Sequence, residues 1–466
     1  MWCVALLTSL FLVDKRMKRH SVLAVLVCMI TSVFMSCSTG DDYTLTTVSP
    51  STCVVTSVTM GKIPCLVQTK TVDGRDSTYI ATITGSNYPM SIDHYGGRIF
   101  NVDSLPYGCD VAKVTFETLS SSGSLAINSL GQEVDTFFVA TDSTDFRHPR
   151  KVTVYALDGV AVRSYWLEVR VHQEEGDAFK WQQQANGLEE WAEVTPQSAF
   201  AHEGVLYAYG VENNQPVALT ALASAPTAWN KVAIEREITA PTPYNGSFYA
   251  LSDGALVQSV DGLAWSEVST NLSAPLLTLV AGSTALYGVT AAGFVTSIDG
   301  VAWTVQEADE PEFLPAENCS AACLPSPTDN TFEDVIVVGT RDGKPVVWKL
   351  NVDKSGMYTY TWNYYPENPN NGNPCPELPQ RNVLAYDGAT LLLGAESDGT
   401  SVLRLSRDNG RTWRTREIPQ LDGVSGAFAA TVDANHYVWV MAEGGRVLKG
   451  RFNRLGWAQQ DRVFTE

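Results

Sequence analysis

From about Cys65 to His172 apolar residues recur at every second position in short β-branched runs. Val152-Val154-Ala156 and the series Val162, Tyr165, Leu167, Val169, Val171 are examples. Turn phrases such as Val72-Asp73-Gly74 and Leu157-Asp158-Gly159 separate the runs, and no helix of useful length is evident. Seven or eight short strands at intervals of roughly 8 to 14 residues predict a β-sandwich over residues 61–172. The polar stretch Gln173-Glu174-Glu175-Gly176-Asp177 marks a linker, taken as residues 173–180.

A different pattern fills residues 181–466. Phe248-Tyr249-Ala250-Leu251 leads through Asp253-Gly254 to Ser259-Val260-Asp261-Gly262-Leu263-Ala264-Trp265. Thirty-eight residues further on, the same order ends in Ser297-Ile298-Asp299-Gly300-Val301-Ala302-Trp303. Repetition at this period predicts a propeller or a solenoid. A third copy, Ser406-Arg407-Asp408-Asn409-Gly410-Arg411-Thr412-Trp413, has the full Ser-x-Asp-x-Gly-x-Thr-Trp form. Cycles that keep a hydrophobic strand and a closing Trp without the box run from Val205 to Trp229, Val335 to Trp362 and His436 to Trp457. These add up to six blades, or seven if Trp181 and Trp191 belong to another.

The three boxed segments resemble the Asp box of the bacterial neuraminidase repeat and sortilin-like propellers. That resemblance implies a tight hairpin between the last two strands of a blade, at its periphery. Asp accepts hydrogen bonds from the turn backbone, Gly supplies positive φ and Trp buries a large ring. Ser259, Asp261, Gly262, Trp265, Ser297, Asp299, Gly300, Trp303, Ser406, Asp408, Gly410 and Trp413 are therefore expected to be structural, not catalytic. The phrase Arg98-Ile99-Phe100-Asn101-Val102-Asp103-Ser104-Leu105-Pro106 and the hairpin at Asp158-Gly159 resemble the immunoglobulin-like N-terminal modules of Bacteroidetes surface lipoproteins, which space or present the next domain. The expected fold class is all-β: an immunoglobulin-like sandwich followed by a β-propeller.

The first residues change the picture of where this fold works. Lys18, Arg19 and His20 precede an apolar run, Ser21 to Met35, too short to span a bilayer as a stable helix. This reads as a secretory signal, residues 1–36, within which Met17 is an expected alternative start. Ser36-Cys37-Ser38 follows and resembles a lipobox, although Phe34-Met35-Ser36 lacks the usual Leu. Cys37 is the expected lipid anchor, at the head of a Thr/Ser-rich tether, residues 37–60. A single uncleaved membrane anchor formed with the earlier stretch Val4–Val13 is the alternative. Asp41-Asp42 beside the cysteine looks like the signal that sends such lipoproteins to the outer leaflet of the outer membrane. Removing residues 1–36 moves the formal charge from −19 to −22, because four basic residues leave and only Asp14 goes with them. So acidic a chain does not suit nucleic acid or anionic lipid, and membrane affinity must come from the acyl chain. Six further cysteines, Cys53, Cys65, Cys109, Cys319, Cys323 and Cys375, allow disulfides whose pairing spacing does not rank.

The sequence offers little chemistry. Sialidases, some endoglucanases, sortilin-like receptors and non-enzymatic propellers share the Asp box, so fold leaves function open. A sialidase would bring an arginine triad, yet Arg236 is the only arginine between Lys180 and Thr340, and no Arg-Ile-Pro occurs. No hydrolase, metalloprotease or phosphate-loop motif appears, and no metal or cofactor is expected. The acidic run Glu307–Glu312 reads as a solvated loop. Tyr358, Tyr360, Trp362 and Tyr364 would lie on one face of a strand and suit stacking on sugar rings or a protein hot spot. The Pro- and Asn-rich loop 366–376 follows. The same rings could instead pack between blades. The expected function is non-enzymatic binding of a glycan or surface protein through the propeller. The alternative is a glycoside hydrolase or lyase in the axial cleft, which would need two converging carboxylates.

Overall fold

The computed structural model describes residues 50–457, apart from 71–74, 130–133, 327 and 416. Cys37 and the whole signal segment lie outside the described residues. Within them the regular structure is strand, apart from 3-10 turns of three or four residues.

The first unit builds around one core. A six-stranded sheet runs in the order Met90–Asp93, Arg98–Asn101, Val162–Glu168, Arg150–Tyr155, Ser124–Asn128, Asp135–Phe137. Val55–Met60 pairs with Phe116–Ser121, and Lys62–Lys70 pairs with Asp76–Thr84. Val55, Met60, Ile63 and Phe116 meet Ile99, Val152, Val154 and Leu167 in that core. The Asp158-Gly159 turn joins Arg150–Tyr155 to Val162–Glu168, and Asp158 accepts hydrogen bonds from the backbone of Val160 and Ala161. Arg98–Asn101 pairs with Val162–Glu168 in parallel, a long-range contact that alternation does not reveal.

The second unit is a ring of six sheets. The first holds Val194–His202, Val205–Glu212, Gln215–Leu222 and Asn230–Ala233. The second holds Thr239–Tyr244, Ser247–Ser252, Ala255–Ser259 and Ser266–Glu267, and the third Leu276–Ala281, Leu286–Thr290, Gly293–Ser297 and Thr304–Val305. The fourth holds Glu317–Pro325, Phe332–Arg341, Lys344–Asp353 and Asn363–Tyr365, and the fifth Gln380–Tyr386, Ala389–Ala395 and Ser401–Ser406. The sixth, Phe428–Val432, Val438–Ala442 and Arg446–Phe452, is completed by Phe179–Ala185 from the start of the unit. The opening strand of each sheet touches that of the next, and the sixth returns to the first. Sheets covered on both faces need continuous apolar strands. Leu286–Thr290, Ala389–Ala395 and Val438–Ala442 are accordingly buried along their whole length. Two-residue hairpins such as Asp253-Gly254 and Asp387-Gly388 have positive φ at both positions, matching the twist of the flanking strands.

Trp181 lies on the strand that completes the sixth sheet, and Trp191 packs edge-on against Trp229 beside the first. Trp457 leaves the repeat pattern. Its strand ends at Phe452, and the indole stacks at 3.6 Å on His172, the residue just before the linker. Gly176 and Ala178 accept backbone hydrogen bonds from Arg454 and Asn453, and the Arg454 guanidinium bridges Asp177 and Asp387. The linker is thus bound to the tail of the last strand.

Candidate functional site

The three boxed turns share one geometry. In the second sheet, Asp261 accepts hydrogen bonds from Leu263 N and Ala264 N, Ser259 Oγ accepts from Gly262 N, and Trp265 Nε1 donates to the Gly262 carbonyl. Asp299 with Ser297, Gly300 and Trp303, and Asp408 with Ser406, Gly410 and Trp413, repeat the pattern. Ala264 N and then Leu263 N hold the Asp261 carboxyl below its ordinary range, and Ala302 and Val301 do the same for Asp299. The Oδ1 of each box aspartate and the hydroxyl of each box serine are engaged within their own turn.

The expected aromatic row is corrected at its centre. Only Asn363–Tyr365 is strand, and residues 358–361 are irregular. Trp362 is fully buried, stacked on Phe294 at 4.0 Å, with Nε1 donating to Gln306. Tyr364 is half-buried and stacks on Phe313 at 4.6 Å. Tyr358 and Tyr360 remain exposed, at 60% and 40%. A flat ring platform therefore does not form. A large indole beside two apolar sheets gains more by leaving water than by lining a surface.

Of the four, Tyr364 alone lines a cleft of about 900 Å³ between the fourth and fifth sheets. Tyr364 and Tyr365 form one wall, and the loop carrying Glu367, Asn368, Asn370 and Asn371 forms another. Asp309 and Glu377 lie at its edges, and Gly410-Arg411-Thr412 of the third boxed turn closes it. The loop lies across that turn. Asn371 donates to the Arg411 carbonyl, and the Asn373 carbonyl accepts from Trp413 N. The exposed Arg411 guanidinium sits 4.7 Å from the Tyr365 ring centroid. Burial raises the Tyr365 phenol, and Arg411 opposes that shift. Arg411, Tyr365 and Glu377 escaped the sequence reading, and Asp309 was read there only as part of a solvated acidic loop. One signal could have found Arg411: the residue after the box glycine is Leu263 or Val301 in the other copies and a cation only here.

A second opening of about 220 Å³ lies where the six opening strands meet. Gln197, Thr242, Thr278, Cys319, Arg381 and Asn382 are among its lining residues, and none of the described residues there is Asp or Glu. Arg381 donates to the carbonyls of Gly339 and Leu378 and to Thr340 Oγ1, which ties the fourth sheet to the fifth. Burial pushes the nearby Cys319 and Cys375 thiols up to about 12, so the reactive thiolate is scarce at neutral pH. Cys65 and Cys109 form a disulfide, a pairing that spacing alone left open.

Among solved structures, the fucose-specific lectin from Aleuria aurantia is similar at 10% identity, with 57% of this chain and 93% of that one covered and a TM-score of 0.35. Trypanosoma rangeli sialidase in complex with 2,3-difluorosialic acid is similar at 10% identity, with 56% and 54% covered and a TM-score of 0.37. Regucalcin from Agrobacterium tumefaciens is similar at 13% identity, with 57% and 93% covered and a TM-score of 0.38. No curated protein matches the chain. The model of the DUF6242 N-terminal domain matches residues 62–169, and that of the DUF6242 beta propeller domain matches residues 175–460. With more than half of its length under the second match, this chain belongs to the DUF6242 β-propeller family.

Proposed function

We propose that this protein is a non-enzymatic surface lipoprotein, anchored in the outer membrane through Cys37, that binds a glycan in the cleft between the fourth and fifth sheets. In this reading each sheet is one blade of a six-bladed Asp-box propeller, and the first unit is an immunoglobulin-like module that presents it. The observation that carries the reading is the cleft itself. Two tyrosine rings, an amide-rich loop and one guanidinium converge on an open space, and sugar hydroxyls are recognised by such amides while sugar faces stack on such rings. Among the described residues the axial opening is lined by no pair of carboxylates, so its lining lends no support to cleavage there.

The test is a glycan array on the soluble mature chain, followed by calorimetry and incubation with each hit. Binding without cleavage products, weakened about tenfold or more by Arg411→Ala or Tyr365→Ala, is the expected result. Cleavage would replace it with the hydrolase, and recovery of a surface protein with no glycan hit would replace it with an assembly role.

A further inference from the structure

We infer that the glycan taken by the cleft between the fourth and fifth sheets carries free amines, an amino-sugar chain and not a neutral or acidic one. The inference rests on the glycan reading given above. Its first observation is the acidic run Glu307–Glu312, which is tied down at its start. Trp362 N donates to the Glu307 carbonyl at 2.9 Å and Asp309 N to the Trp362 carbonyl at 3.0 Å, making a parallel bridge between Ala308 and Trp362. Asp309 Oδ1 then accepts from Tyr364 N at 2.9 Å. The run is thereby seated along the strand that carries both tyrosines. Burial raises the Tyr364 phenol, and the carboxylates of Glu310 and Glu367 raise it further, so acids from two separate segments stand close to that ring.

The charges around the cleft give its sign. Asp309, Glu367 and Glu377 line it and are exposed, and none of them pairs with a cation among the described residues. Arg411 is the one cation among the described lining residues. The neighbouring cations are engaged elsewhere or turned away. Lys349 Nζ lies 3.1 Å from Asp334, Arg341 donates to the Leu314 carbonyl, Arg404 donates to the Leu403 carbonyl, and Arg407 pairs with Asp387 and Glu417. Lys344 stands across from Arg341 and shares the face of Val346 and Trp348, whereas Pro345 and Val347 of the other face line the cleft. Arg414 is exposed and does not line it. Three carboxylates therefore face one guanidinium. An ammonium group is attracted by carboxylates that no protein cation neutralises, over about 8–10 Å at ordinary salt. A uronate or sulfated sugar meets the opposite field, on a chain whose formal charge is −19. The amides of Asn368 and Asn370 line the same space, and amides pair with ring hydroxyls, which a lysine-rich peptide lacks.

The test is calorimetry on the soluble mature chain with matched oligosaccharides: glucosamine and galactosamine oligomers with free amines, and the same oligomers N-acetylated. Each pair shares one backbone and differs in charge. At about pH 6, where the carboxylates are ionised, the free-amine form of at least one pair is expected to bind about tenfold tighter or more than its acetylated form. Salt at about 0.5 M should erase most of that preference. Glu367→Gln combined with Glu377→Gln should cut it to about threefold or less, with an unchanged melting temperature. Equal binding of both members overturns the charge inference and leaves the glycan reading standing. No binding by any of the four overturns the inference alone if a glycan array gives hits of another class, and overturns both if it gives none. Tighter binding of oligogalacturonate or of oligolysine overturns it as well, as does a double variant that keeps the parent's preference.

Discussion

Trp362 shows how one side chain is assigned by what surrounds it. Its position in an alternating Tyr-x-Tyr-x-Trp-x-Tyr run is compatible with an exposed platform or with a buried wedge, and the ring of Phe294 decides for the wedge. Trp362→Ala is expected to destabilise the protein by about 3–5 kcal/mol in denaturant titration. Tyr358→Ala, at an exposed ring, should change stability by less than about 0.5 kcal/mol. The box aspartates give a pH dependence with a definite sign. Backbone donors lower the folded pKa of Asp261 and Asp299 below the reference of 3.8. Their contribution is therefore complete above that reference and is lost as pH falls through the folded value. Melting temperatures recorded from pH 7 down to pH 2.5 should drop below about pH 4, and the double variant Asp261→Asn, Asp299→Asn should drop less steeply over that window.

At the scale of elements, the disulfide and the loop carry the predictions. Cys65 and Cys109 close a span of 44 residues, which ties the Lys62–Lys70 strand to the segment after Arg98–Asn101. Cys65→Ala with Cys109→Ala should cost about 2–4 kcal/mol, measured by chemical denaturation of the first unit. The loop 366–379 is held over the third boxed turn by Asn371 and Asn373. Asn371→Ala removes the donor to Arg411 O, and the expected result is weaker glycan binding with a melting temperature within a few degrees of the parent. Limited proteolysis between Pro366 and Pro376 would report the loosened loop. The hairpins were legible in the sequence because Asp-Gly between apolar runs has a local cause, positive φ at two successive residues. The cleft was not legible, because it needs two sheets side by side.

At the scale of the molecule, ring closure depends on chain ends that lie far apart in sequence. Phe179–Ala185 adds to Arg446–Phe452, and Arg454 ties Asp177 to Asp387 just beyond that seam. Asp387 is nearly buried and also faces Arg407 at 3.2 Å, so it keeps one partner when the other is removed. Arg454→Met should therefore cost about 1–3 kcal/mol, less than loss of a sole partner, and should lower the melting temperature of the second unit ahead of the first in calorimetry.

The sequence by itself determined the features with local causes. Period-two alternation marked strands, and a recurring Ser-x-Asp-x-Gly phrase marked repeated turns. Acidity set the sign of the surface field. Tertiary structure alone decided what depends on distant neighbours. It closed the ring of six sheets, buried Trp362 while leaving Tyr358 in solvent, chose Cys65–Cys109 among the possible pairs, and brought Tyr365 beneath Arg411 across 46 residues of chain. The physical reason is that hydrogen bonds within a turn are encoded in a few adjacent residues. Burial is a property of the space between elements, and a local pattern of residues does not say which elements will share it.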